Sequence, residues 1–336
     1  MAKKKRRQRP APLPPRSRRR GWSREFRLQL LVVAGFALLL AIVGGMVGWG
    51  KYQDVVGPPR SRALQVGETT FNLDYFTRRL KFYVESGGLQ GLTDPQKVAQ
   101  TIATVMGILQ QEELLRQKAP VDLGLSASPD EIDEQIATRL KVSRDDPEAF
   151  RKAYQEELKR SHLSDKEYRQ MIEANVLGTK VQQTYSSSVP ATMEQVRIRA
   201  LLVGTEDEAK SVLERLDAGE DFGDLARQLS LDPTAKDNGG ERGWLARDEL
   251  DLASGPVVFA LEVGGHSQPI AGPGGQFIVQ VEERQPDMAV TDQQRSTLAA
   301  SYFTYWLEEQ RTLIPRAEYV STNSDKLSWV VVRAFG

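Results

Sequence analysis

Residues 30–49 run for twenty positions without a charge and are rich in Leu, Val, Ala and Gly. As a helix rising ~1.5 Å per residue, such a run reaches about 30 Å, the hydrocarbon thickness of a bilayer. The reading is a transmembrane helix over 28–50, with Trp22 and Trp49 near the two interfaces. A cleaved signal peptide is the alternative; its apolar region normally covers only about 7 to 15 residues, although the small residues over 41–48 leave a cleavage site open.

The charges on either side of this run fix its direction. Residues 1–27 hold twelve of the 45 Lys and Arg but one of the 45 Asp and Glu, so the remaining chain carries a net charge of −11. A basic, Pro-rich tail of this kind stays disordered and marks the cytoplasmic side, which puts everything past Lys51 outside the cytoplasm. A basic tail also fits nucleic acid, but an acidic body repels it, and no nucleic-acid partner is expected. Cysteine is absent, which excludes disulfides, thiolate metal sites and a lipidated cysteine anchor. Two histidines, His162 and His266, argue against a zinc triad, and His266 reads as a surface residue. No metal or other cofactor is expected.

After a linker over 51–61, the spacing predicts a mainly helical domain over 62–190. Residues 64–71 read as strand, turn and strand, and 73–84 as an amphipathic helix broken at Ser86-Gly87-Gly88. Val98, Ile102, Val105 and Leu109 recur at helical spacing, so a helix over about 94–118 buries one side and ends at Pro120. Ser128-Pro129-Asp130-Glu131 and Ser164-Asp165-Lys166-Glu167 are capping boxes that start further helices, and Phe150, Ala153, Tyr154 and Leu158 mark another between them. The paired acids Glu112-Glu113 and Glu156-Glu157 read as solvated helix faces. Residues 286–336 add a helix over 292–311, apolar through Leu298, Tyr302, Tyr305, Trp306 and Leu307, and a strand-like run over 327–332.

The stretch 191–285 has a different texture. Val196-Arg197-Ile198-Arg199-Ala200-Leu201-Leu202-Val203 reads as a strand, Thr205-Glu206-Asp207-Glu208 as a capping box, and Asp221 as the cap of a second short helix carrying Phe222, Leu225, Ala226 and Leu229. Ser230-Leu231-Asp232-Pro233 leads to Asn238-Gly239-Gly240-Glu241-Arg242-Gly243-Trp244, a run that calls for a tightly turned backbone. No Lys-Ser/Thr follows these glycines, so they do not read as a phosphate cradle. Phe259-Ala260-Leu261-Glu262-Val263-Gly264, a short strand over 267–270 and an alternating strand over 276–281 complete it.

These landmarks, in this order, resemble the parvulin-type peptidyl-prolyl isomerase domain. The hairpin phrase Val66-Gly67-Glu68, with Gln111-Glu112-Glu113-Leu114-Leu115 and Ser128-Pro129-Asp130-Glu131-Ile132 in the helices upstream, resembles the chaperone domain of SurA- and PrsA-like foldases. The resemblance implies an α+β fold, a small antiparallel sheet wrapped by helices behind a helical chaperone domain, with the chain after 285 returning to that domain. It also implies isomerisation of Xaa-Pro bonds in unfolded or newly secreted clients. Members usually carry a histidine in the opening and closing strands; Ala200 and Phe277 stand there instead, so turnover is expected to be weak or lost. Asp232 holds the position of the family's Cys or Asp and is the candidate catalytic residue, though as the residue before Pro233 it reads somewhat better as a turn or cap. Leu202, Trp244, Leu250, Phe259 and Phe277 are the candidate substrate-binding residues, with Leu250 and Ser254 where relatives place Met and Phe. A membrane-anchored extracytoplasmic foldase is the leading reading, and a non-catalytic adaptor or holdase in a membrane protein complex the alternative.

Overall fold

The computed structural model describes residues 57–89, 91–250 and 254–335. The expected membrane span and basic tail lie outside these residues; among the helices described, none is long and apolar enough to cross a membrane. The fold is α+β, with helices ahead of a small antiparallel sheet.

Strands β1 (Arg62–Val66) and β2 (Thr69–Asn72) form the expected hairpin, turning at Gly67, whose φ of 58° suits a residue without a side chain. Helix α1 (Leu73–Ser86) starts where the Asn72 side chain accepts the Tyr75 N–H. Helix α2 (Pro95–Leu123) starts at Asp94 but runs past its expected stop. Pro120 lies within its last turn, and the helix ends only at Gly124, which is left-handed (φ 66°). A single missing N–H near a helix end is tolerable when the turn is held from outside, and Ala119 is fully buried there. Helices α3 (Pro129–Leu140), α4 (Pro147–Ser161) and α5 (Asp165–Ser188) follow, and the capping boxes at Ser128 and Ser164 are both formed.

Strand β3 (Thr192–Val203), helices α6 (Glu206–Asp217), α7 (Phe222–Leu229) and α8 (Pro233–Asn238) and strand β4 (Glu241–Ala246) come next. A short 3-10 turn (Arg247–Glu249), helix α9 (Ser254–Ala260), and strands β5 (Ile270–Gly272) and β6 (Gly275–Ala289) close this part. The strands form one antiparallel sheet in the order β4-β3-β6-β5. Leu201, Val203 and Ile278 pack one face against α6 and α7, while Val196, Ile198, Ala200, Val279 and Val281 pack the other against Val258 and Phe259 of α9.

The chain then turns back. Helix α10 (Asp292–Leu313) lays Trp306 and Leu307 against Leu115, Leu177 and Val181, and strand β7 (Arg316–Glu318) joins the first hairpin in the order β2-β1-β7. Helix α11 (Ser324–Ala334) occupies the run read as a strand from Val330-Val331-Val332. Asn323 caps it, and Leu327, Val330, Val331 and Ala334, at i, i+3, i+4 and i+7, all meet the core around Phe76, Leu80 and Met106. Burial on one helical face outweighs the strand preference of three β-branched residues.

Two of the paired acids are not solvated. Glu113 accepts from Thr69 Oγ1 at 2.6 Å, Gln117 Nε2 at 2.7 Å and Arg116 Nη1 at 2.9 Å, and Glu157 accepts from Arg160 Nε at 2.7 Å and Tyr168 OH at 3.2 Å; each residue is 4% exposed. Beside Glu113, Glu112 takes a two-pronged pair from Arg79 at 2.6 and 2.8 Å, with Arg79 itself buried. Helix periodicity counted these acids as polar positions; only the tertiary partners explain why they sit inside.

Candidate functional site

Strand alternation sorts the candidate residues onto faces. Ala200, Leu202, Phe277 and Val279 share the face that looks toward α9, because Ala200 pairs with Val279 and Leu202 with Phe277 across β3 and β6. Phe277 also pairs with Ile270 on β5 and is half-buried; its ring lies against Gly272, where an added Cβ would come within 2.8 Å. Leu245, Leu250, Leu261 and Ile270 complete the apolar wall around buried Ala200, Val258 and Phe259.

Phe259 is 6% exposed and forms part of the wall's base. The Arg247 guanidinium lies over its ring at 4.9 Å, and Arg284 donates to the Phe259 and Leu261 carbonyls at 3.1 and 2.7 Å. Trp244 goes elsewhere. It pairs with Arg197, on the sheet face opposite Val196 and Leu245, and so does not join Leu202, Leu250, Phe259 and Phe277.

Asp232 reaches the edge of this face through a buried serine that the sequence did not single out as functional. Ser230 is fully buried, and its hydroxyl accepts the Leu202 and Asp232 N–H groups, each at 3.2 Å. The Leu231 N–H bonds the Leu202 carbonyl at 2.7 Å, so the Ser-Leu-Asp segment is pinned beside the strand residue that faces Phe277. Gly240 allows the next close approach: its carbonyl accepts the Ala200 N–H at 2.8 Å, and a Cβ there would meet the Ala200 oxygen at 2.6 Å. Gly240 thus packs its backbone against β3, while Gly239 lies against Arg227 and Gly223 of α7, so neither faces an open cradle.

The Asp232 carboxylate already has two partners. One oxygen accepts the Thr234 N–H at 2.9 Å and caps α8; the other is ion-paired with Arg242. Burial raises its pKa, but the Thr234 N–H and the Arg242 guanidinium outweigh that and hold the group below its ordinary value. Asp232 is therefore an ionised acceptor at neutral pH. Arg242, its partner, sits between two glycines, and a long-range ion pair leaves no periodic trace in a sequence. His266 is not a surface residue: it is half-buried, its Nε2 is 3.2 Å from Asp217, and its backbone bridges Gln280.

The arrangement is an apolar face for a small ring, with one ionised carboxylate at its edge. Among the described residues that form it there is no nucleophile and no acid–base pair, and amide rotation requires neither.

Residues 192–285 match the family profile of the PPIC-type PPIASE domain, and residues 18–182 that of the SurA-like N-terminal domain. The foldase protein PrsA of Clostridium kluyveri is 32% identical over 155 residues, covering 44% of this chain and 45% of the relative. The periplasmic chaperone PpiD of Haemophilus influenzae is 43% identical over 79 residues, covering 24% of this chain and 13% of that protein. Among solved structures, a peptidylprolyl isomerase (PrsA) from Bacillus anthracis aligns with a TM-score of 0.40 and 20% identity, over 67% of this chain and 93% of that one. The chain spans about half the length of the first curated relatives it matches. Two domain families therefore meet in this chain, a SurA-like N-terminal domain followed by a PPIC-type peptidyl-prolyl isomerase domain.

Proposed function

We propose that the chain is an extracytoplasmic foldase, held at the membrane by residues 30–49, whose parvulin domain grips Pro-containing unfolded segments and isomerises them slowly. The observation that carries this reading is the exchange of both family histidines for apolar groups on one face. Ala200 is buried among Val258, Phe259 and Val279, and Phe277 faces Leu202 and Ile270. Such a face favours a proline ring and the apolar neighbours of an unfolded client.

An Xaa-Pro bond must cross a barrier of about 18–20 kcal/mol, most of it lost resonance. Transfer of the amide from water to an apolar wall removes solvation that favours the planar, charge-separated form, so the wall by itself lowers the barrier modestly. Asp232, already bonded to Arg242 and the Thr234 N–H, adds a fixed negative field at the edge and no proton. The anchor and its orientation rest on the charge-free run and the basic tail before it.

Two measurements test the proposal. NMR exchange on a series of Xaa-Pro peptides with the full-length chain should show saturable binding and a modest rate gain. Binding without any gain at any Xaa would leave a holdase or adaptor, and failure to bind at all would remove the cleft. Because the chain has no cysteine, Asp207→Cys at an exposed position gives a single label site; it should react in intact cells with a membrane-impermeant reagent. Reaction only after the membrane is breached would reverse the orientation.

A further inference from the structure

The parvulin cleft is not held by the parvulin domain alone. Its wall at Leu250 hangs from the turn Arg247–Glu249, and that turn is fastened from outside residues 192–285 by helix α10. Gln294, nearly buried, donates from Nε2 to Glu249 Oε2 at 3.1 Å and to Gln195 Oε1 at 2.8 Å, and lies 3.4 Å from the Trp244 carbonyl. The same Glu249 oxygen accepts the Ala246 N–H at 2.8 Å, so one carboxylate closes the turn on itself and ties it to α10. About two turns further along the same face, Tyr302 OH donates to Asp248 Oδ2 at 2.8 Å. Leu298, between them, is fully buried against Ala246 and Val189.

The turn in turn sets the cleft. The Leu250 N–H bonds the Arg247 carbonyl at 3.2 Å, and the Arg247 side chain covers Phe259. Gly255 of α9 approaches so closely that a Cβ would stand 3.0 Å from the Arg247 oxygen. A shift of the turn therefore moves Leu250 and the Arg247–Phe259 stack together.

We propose that Gln294 and Tyr302 are positioning residues for proline recognition, acting through the Arg247–Glu249 turn on the Leu250 and Phe259 wall. The inference rests on the cleft assigned under the proposed function. Its content is that recognition by this domain depends on a helix whose other end packs Trp306 and Leu307 into the helical region. Arg295 strengthens the same joint, donating to the Ser186 carbonyl at 3.2 Å, Val189 at 2.5 Å and Pro190 at 3.3 Å in the segment that leads into β3.

The test uses the full-length chain and an Xaa-Pro peptide that it binds, followed by NMR exchange across a peptide titration. Tyr302→Phe and Asp248→Ala should each raise the half-saturating peptide concentration about three- to tenfold, the range that one lost partly buried hydrogen bond supports. The exchange rate at saturation should stay unchanged, and the double variant should be no weaker than either single one. Asp248→Asn keeps an acceptor for Tyr302 and should restore most of the affinity, which separates lost positioning from poor folding. Thr304→Ala, whose hydroxyl bonds only within α10, is the control and should not move the titration. Wild-type affinity in Tyr302→Phe and Asp248→Ala would overturn the positioning role while leaving the cleft intact. No peptide binding by the unaltered chain would overturn both.

Discussion

The two sheets of this molecule are put together from opposite kinds of information. The four-stranded sheet β4-β3-β6-β5 draws every strand from residues 192–289, each close in sequence to the helices that cover it. The three-stranded sheet β2-β1-β7 pairs Leu64 with Glu318, so the first hairpin is finished by a strand from the other end of the described chain. The first sheet closes within one segment, its widest pairing joining Thr192 to Ala289, whereas the second waits for a far longer loop, from Leu64 to Glu318, to close. The parvulin part should therefore persist when the helical part fails, and the reverse should not hold.

The largest test of that asymmetry is truncation after Leu313. It removes β7 and α11 and with them Val320, Val330, Ala334 and Phe335, all in the core shared with Phe76, Leu80 and Met106. Large buried side chains contribute about 2–5 kcal/mol each, against a whole-domain margin of about 5–15 kcal/mol. Hydrogen exchange should show α1 and α2 losing protection while β3 and β6 keep theirs. Equal loss in both sheets would break the comparison.

A smaller change probes the buried charges of the helical part. Arg79→Met leaves Glu112 without its partner in an interior site and should cost about 3 kcal/mol in urea unfolding. The double variant Arg79→Met/Glu112→Leu should recover most of that loss. If the single variant is as stable as the unaltered chain, the pair is solvated and the reading of this core is wrong.

How much of this was legible depends on where the partners lie. The capping boxes at Ser128, Ser164 and Thr205, the Asp221 cap and the first hairpin are each complete within a few residues, and each formed as read. Residues 327–332 misled because the strand propensity of Val330-Val331-Val332 is local, while the core that makes them helical comes from residues 63–114. Glu113 and Glu157 misled for the same reason, since Thr69 and Tyr168 cannot be paired with them by spacing. In the candidate site, Ala200, Leu202 and Phe277 share a face because strand period fixes it, but Trp244 fell on the other side through the β3–β4 register. Ser230 was visible only as part of a motif, and Arg242 as a residue between glycines.

Acid should separate the two regions next. Burial raises the Glu167 pKa, but the paired guanidinium of Arg78 and the Ser164 cap outweigh it and bring the group from its ordinary 4.5 to about 2. A lowered pKa gives stability that is present above about 4.5 and is lost as pH falls toward about 2. The loss should be about 1–2 kcal/mol once solvent screening of this half-exposed pair is allowed for. Urea midpoints followed by a probe in α5 should fall over that window, and Glu167→Gln should flatten the fall. A probe in β6 that fell in step with α5 would show that the two regions do not unfold separately.

The smallest expected effect sits at Asp232, and it decides whether the parvulin part does more than fold. Asp232 caps α8 by accepting the Thr234 N–H and also pairs with Arg242, so two substitutions divide its roles. Asp232→Ala removes both and should cost about 1 kcal/mol of stability from the lost cap. Asp232→Asn keeps an oxygen for Thr234, removes the charge, and should cost only a few tenths of that. If the carboxylate's field contributes to turnover, both variants should slow exchange on a bound Xaa-Pro peptide by a similar, few-fold amount despite their different melts. If exchange tracks the melt instead, slowed in Asp232→Ala and untouched in Asp232→Asn, then Asp232 serves the fold alone and the candidate site reduces to the apolar face of Ala200, Leu202, Leu250 and Phe277.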